Sequence, residues 1–196
     1  EYNVNIITGS MPILEEGKLR SICYLCRRDG SWGSYRKLHV SIPEVSFWGM
    51  TGGDEIPVFE SDCGRVAIMI SDDIQYPELG RLYADQKVDI LFVPFSSSTQ
   101  NEYQRIKCCA QARAIENECY VAIAGCVGTL PKVSNMDMQF AQSAVYSPSD
   151  FSFPTDSTIA EATPNTEMTL ICDINLELLK EIHTYGTARN LLARRK

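Results

Sequence analysis

The sequence predicts an α/β domain, and three observations carry that prediction. An apolar run from Val66 to Ile70 breaks off at Ser71-Asp72-Asp73, a helix start follows at Pro77, and a second apolar run, Ile90 to Val93, ends at Pro94. Short runs that are apolar throughout and rich in β-branched residues read as strands buried on both faces. Proline is tolerated in the first turn of a helix, so strand, turn, helix, strand here forms a βαβ unit. Ser71 falls at the C-terminal end of the first strand, where such folds display a nucleophile. A chain of 196 residues is long enough for one domain with a real core.

An antiparallel meander precedes this unit. Val4 to Thr8 reads as a strand closed by Gly9-Ser10, and Leu19 to Leu25 as another after a turn at Glu16-Gly17. Asp29-Gly30 is a hairpin signal, with Trp32 to Tyr35 as the returning strand. Ser46 to Pro57, with its glycines and aromatics, reads as a loop over a surface or mouth. Beyond Pro94 come a polar loop, Phe95 to Thr99, and a helix from Glu102 to Asn117 with Tyr103, Ile106, Cys109, Ala110 and Ala114 on its apolar side. Tyr120 to Ala124 is a further buried strand, 134–142 is irregular, and Ser143 to Tyr146 is a short strand. Ser147 to Pro164 reads as exposed loops and Met168 to Asp173 as a last strand. Asn175 caps a helix from Leu176 to about Tyr185, and 186–196 is a basic tail, a solvated extension or a partner-contact arm.

Composition narrows the partners. With 18 basic and 25 acidic side chains the net charge is −7, which argues against nucleic acid or an anionic membrane surface. No apolar run approaches the length of a membrane span, and no signal peptide is read. The opening residues Tyr2 to Ile7 alternate like a strand already in progress, as at an internal boundary. The 8 cysteines lie scattered through apolar segments, which reads as buried, reduced thiols in a cytoplasmic protein. Cys23 and Cys26 form a CxxC inside a strand, where an offset of three sets them on opposite faces. No second Cys or His pair completes a metal site.

On spacing alone, Lys37 and Glu44 read as solvated charges, and Asp72 and Asp73 as caps of a turn or helix. His39 and His183 are the sole histidines, so a serine–histidine–aspartate arrangement has two candidates, and His183 falls in a helix pattern.

The segments RKLHVSIPE, GRVAIMISDDIQYPELGRL, VDILFVPF and QARAIENECYVAIAG, in that order, resemble the carbon–nitrogen hydrolase (nitrilase) superfamily. WGMTGGD, CCAQARAIEN, GTLPKV and the FPTDS loop are most similar to the branch that carries an acetyltransferase-like domain ahead of the nitrilase domain. The resemblance implies a four-layer α-β-β-α sandwich, incomplete here at its N-terminus because the domain's first strands and helices are not matched. It implies hydrolysis of small amides or nitriles through a cysteine thioester, with no metal or organic cofactor, in a homodimer or higher oligomer. Lys37 falls on the family's lysine, Glu44 on its second glutamate and Ser71 on its cysteine, which overturns the spacing-based reading of Lys37 and Glu44. Asp72 stands where tyrosine is frequent, while Asp73, Tyr76, Pro77 and Glu78 keep the pattern. The pocket is expected to use Asp72, Tyr76, Glu78, Phe95 and Ser96, and specificity to lie in loops 48–54, 96–101 and 127–138. The general-base glutamate has no counterpart.

A serine hydroxyl is far less acidic than a thiol, whose free pKa is about 8.5. Weak or absent hydrolysis is therefore expected. Ser71 is an engineered replacement, a natural change marking a pseudoenzyme, or a weak nucleophile. The alternatives are a non-catalytic ligand-binding or scaffolding module and, more remotely, a serine hydrolase using His39.

Overall fold

The computed structural model describes residues 2–133, 137–188 and 190–193. Three antiparallel strands, β1 (Ile6–Glu15), β2 (Lys18–Cys26) and β3 (Trp32–Arg36), form one sheet in that order. Glu16 and Gly17 both take positive φ, 50° and 76°, the backbone of a two-residue hairpin turn. The first strand runs well past the expected stop. Gly9, at φ 77°, does not close it; the pairing register slips between Ile7 and Ser10 and the ladder continues to Glu15. Glycine here makes a bulge rather than an end.

The expected loop from Ser46 to Pro57 is preceded by a helix, α1 (Ile42–Trp48), which takes in its first three residues. Ser41 caps it: its Oγ accepts from Glu44 N–H while the Glu44 carboxylate accepts from Ser41 N–H at 2.7 Å. Ser-x-x-Glu ahead of an apolar stretch is a capping box, a helix start legible in the sequence itself.

The second sheet has six strands in the order β4 (Phe59–Ser61), β5 (Gly64–Ile68), β6 (Ile90–Phe95), β7 (Tyr120–Gly125), β8 (Ala144–Tyr146) and β9 (Thr158–Glu161). β5, β6 and β7 are parallel, joined through α2 (Pro77–Asp85) and α3 (Gln100–Asn117), as the βαβ reading expects. Residues alternate between the two faces along β5. Ala67 and Met69 pack with Leu79 and Tyr83 of α2 and with Ile106, Ala110 and Ala114 of α3. Val66, Ile68 and Ile70 pack with Cys23, Leu25 and Tyr35 of the first sheet and with Leu179 and Ile182 of α4 (Leu176–Tyr185). Both faces are covered, so the run carries no polar residue. The result is the strand and helix layering of the α-β-β-α sandwich.

Three further expectations fail. Met168 to Asp173 forms no strand; Ile171 is 85% exposed, and no strand among the described residues pairs with the segment. Alternation makes a strand only where a neighbour offers its hydrogen bonds. The 147–164 stretch is not all exposed loop: it contains β9, and it buries Ser147, Phe153 and Ser157. The cysteines are not uniformly core residues. Cys23 and Cys119 are buried, but Cys63, Cys108 and Cys126 are exposed, Cys63 in the turn between β4 and β5. None of the eight is in a disulfide.

The irregular stretch 134–142 and the loop 127–138 lie partly outside the described residues. So does the basic tail, of which α5 (Asn190–Ala193) is described; the Leu191 N–H donates to the Glu118 carboxylate. No helix among the described residues is long and apolar enough to cross a membrane.

Candidate active site

Past the end of β5 the chain turns sharply. Ser71 takes φ 51°, a left-handed conformation that costs a non-glycine residue on the order of 1 kcal/mol or more. It opens a 3₁₀ turn, Ser71–Gln75. The first N–H groups of such a turn have no acceptor within it, and Asp72 N–H is one of them.

Two side chains hold this turn. Asp73 is fully buried, and its carboxylate accepts from Tyr35 Oη at 2.7 Å, His39 N at 2.9 Å, Leu38 N at 3.3 Å and Ile70 N at 3.4 Å. The His39 ring Nδ1 lies 2.8 Å from it and donates as well. A buried carboxylate is costly unless it is fully hydrogen-bonded, and this one is. Burial, then the adjacent Asp73 charge, pushes the Tyr35 phenol far above its ordinary range, so it stays a donor. From the other side, Arg113 of α3 is 5% exposed; its Nε donates to the Ile74 carbonyl at 3.2 Å and its Nη2 to that of Gln75 at 3.5 Å. Gly80 makes room for it, since a Cβ there would sit 2.7 Å from Arg113 Cδ. Arg113 pairs with Glu116 at the edge of α3, and the same guanidinium clamps the turn.

Asp73 caps the turn, as expected, and also ties it to the segment after β3. That segment carries Lys37, whose side chain is 3% exposed. Its Nζ donates to both Glu44 oxygens, at 2.9 and 2.7 Å, and faces Asp72 Oδ2 at 3.4 Å. The backbone of Lys37 is pinned by Ser21 O and Gly53 N. Burial raises the Glu44 carboxyl, but the Lys37 ammonium and the Ser41 N–H outweigh it and hold it below the usual carboxylate range. The structure thus brings Lys37, Glu44 and Asp72 together beside Ser71.

The remaining expected residues lie further out. Tyr76 is 42% exposed, with its ring stacked on His39 at a centroid distance of 3.5 Å. Glu78 is exposed in the first turn of α2. Phe95, at the end of the neighbouring strand β6, is buried and stacks against Tyr103. Ser96 is exposed and bonds to Gln139. His39 spends its Nδ1 on Asp73, and among the described residues no hydrogen bond joins it to Ser71. His183 contacts Glu118 at the other end of the sheet. Asp73 as a bridge, Tyr35 and Arg113 were not singled out by sequence. Their partners lie some 35 to 40 residues away, beyond any local pattern.

A family model described as carbon–nitrogen hydrolase matches residues 1–184. The "Probable hydrolase YhcX" of Bacillus subtilis is 47% identical over 196 residues, covering 100% of this chain and 38% of that protein. The "Deaminated glutathione amidase" of Synechocystis is 34% identical over 143 residues, covering 64% of this chain and 52% of the relative. This chain therefore spans about half or less of these relatives. Among solved structures, a carbon–nitrogen hydrolase from Helicobacter pylori superposes with a TM-score of 0.82 at 22% identity, over 98% of this chain and 68% of that one. Nit3 of Saccharomyces cerevisiae gives 0.78 at 19% identity, over 93% and 64%.

Proposed function

The chain belongs to the carbon–nitrogen hydrolase family, and on that premise we propose that it carries the site of an amidase- or nitrilase-type hydrolase weakened at its nucleophile. The substrates are small amides or nitriles. Position 71 attacks the carbonyl carbon, Lys37 stabilises the developing negative charge, and the Asp72 N–H contributes to the oxyanion hole. Glu44 orients Lys37. With an amide, the carbon–nitrogen bond then breaks, the amine leaves with the proton that the nucleophile gave up, and water hydrolyses the acyl intermediate; with a nitrile, the same attack falls on the nitrile carbon, and two waters release first ammonia and then the acid.

The observation that carries this reading is the buried Lys37 ammonium, hydrogen-bonded to Glu44 and facing, at 3.4 Å, Asp72, the residue after left-handed Ser71. An ammonium at this end of a strand serves a thiolate well and does little to ionise a hydroxyl. The serine form therefore has low turnover, and Ser71→Cys restores it. We place the protein in the cytoplasm, as a homodimer or higher oligomer. We also place it in the branch with a fused acetyltransferase-like domain; the 47%-identical relative, more than twice this chain's length, has room for one.

The test is ammonia release from a panel of small amides and nitriles by the whole protein, as Ser71 and as Ser71→Cys. Turnover in the cysteine form alone supports the reading. No turnover in either folded form favours the second reading, a non-catalytic ligand-binding module, which the serine at position 71 already favours. Activity of the serine form that disappears in Ser71→Ala would show that serine itself serves as the nucleophile.

A further inference from the structure

A lysine ammonium has three N–H donors and no more. In Lys37 two go to the Glu44 oxygens, and the third direction faces Asp72 Oδ2 at 3.4 Å. Two carboxylates thus surround one ammonium, and the cluster carries a net charge of −1 before any ligand arrives. The three groups differ in exposure. The Lys37 side chain is 3% exposed, Glu44 25% and Asp72 35%. The positive charge is hidden, and the negative charges are the ones a ligand meets. Asp72 is also the residue directly after Ser71 in the turn. Its second oxygen accepts from Gln75 Nε2 at 2.8 Å, which fixes the carboxylate instead of letting it swing into solvent.

We propose that Asp72 is a specificity-determining residue that caps the third donor direction of Lys37 and selects amides bearing a cationic group over anionic ones. This rests on the reading of Lys37 and position 71 given above. A substrate carboxylate would have to displace Asp72 from Lys37 and sit beside two negative charges. An ammonium or guanidinium group on the substrate is instead drawn to the exposed side of Asp72 and Glu44. Neutral amides fall between.

The test uses Ser71→Cys in the whole protein and a matched pair of methanethiosulfonates. One carries a sulfonate and the other a trimethylammonium group. In each, the thiolate attacks the sulfenyl sulfur, methanesulfinate leaves and a disulfide forms. Peptide-resolved mass spectrometry follows the introduced thiol, with exposed Cys108 and Cys126 as internal references for reagent reactivity. The expected result is a preference for the cationic reagent. Adding Asp72→Asn shifts the ratio toward the anionic reagent on the order of tenfold, the size of one screened charge a few ångströms away. Asp72→Glu keeps the original preference, which separates charge from damage to the turn. A shift that shrinks in high salt supports the proposal further. Should Asp72→Asn leave the ratio unchanged while Lys37→Met alters it, the role of Asp72 is overturned and the reading of Lys37 stands. Should neither variant move it, Lys37 does not govern position 71, and the functional reading falls as well.

Discussion

The two ends of the central parallel strands use similar parts for different ends. At the C-terminal end Ser71 is left-handed, Asp73 is buried and His39 leans on it. At the N-terminal end Glu118 is left-handed and buried, at φ 50°, and His183 Nε2 lies 3.0 Å from its carbonyl oxygen. A cavity of about 410 Å³ even opens at this second end, lined in part by Lys87, Asp89, Glu118 and His183. The difference lies in what the charges hold. Asp89 accepts the Arg65 N–H and Glu118 the Leu191 N–H, so both bind backbone, and the other Glu118 oxygen lies 3.8 Å from His183 Nε2. At the first end Asp73 does the same work, and that frees Lys37, Glu44 and Asp72 to face one another beside a strained residue. Buried charge, a histidine partner and a cavity do not by themselves mark a site. A buried cation whose partners are partly exposed does so better.

The largest loss is expected at Asp73. Asp73→Ala strips the acceptor from the Tyr35 hydroxyl, the His39 ring and three backbone N–H groups, and is expected to cost about 3–5 kcal/mol in urea unfolding. A loss below about 1 kcal/mol would mean the clamp is not what fixes the turn. Arg113→Met removes the clamp from α3, and about 1–3 kcal/mol should follow from the orphaned Ile74 and Gln75 carbonyls.

Lys37→Met tests the pairing with Glu44 through pH. Glu44 is held below its ordinary value of 4.5, so its contribution to stability is fully present above that value and is lost as pH falls through the lower, folded value. Without Lys37 the first-named influence, burial, is left to raise the Glu44 carboxyl. The variant should then be weaker than the parent by about 1–2 kcal/mol near neutrality, and the gap should close as pH falls, because acid removes the Glu44 contribution from the parent while neutralising the buried, unpaired carboxylate of the variant. A difference between the two that stays constant with pH would refute the pairing. At the other end Glu118→Gln keeps an acceptor for the Leu191 N–H, so it should cost about 1 kcal/mol or less and leave the reactivity of a thiol at position 71 unchanged. The smallest effect is expected from Ser41→Ala, about 0.5–1 kcal/mol from the lost cap, visible as a small fall in the thermal midpoint.

Much of the framework was legible because it is local. Val66 to Ile70 and Ile90 to Val93 announce buried strands by composition, and Pro77 and Asn175 announce helix starts. The site was less legible because its contacts are not local. Lys37 and Glu44 are seven residues apart and meet only because a capping box starts α1 at Ser41 and turns Glu44 back. Nothing in the residues around Asp73 names Tyr35, 38 positions earlier, as its partner. Met168 to Asp173 shows the converse: a strand-like pattern stays without a ladder when no neighbour is at hand.

The backbone at Ser71 also limits which residues the position can try. At φ 51° a branched Cβ crowds the chain, so threonine, valine and isoleucine are disfavoured there. Serine and cysteine differ by one atom on the same unbranched stem and make the same steric demand. The turn can therefore exchange oxygen for sulfur with its clamps, its lysine and its N–H groups left in register. A lineage could lose or regain its chemistry at this position without rebuilding the architecture around it.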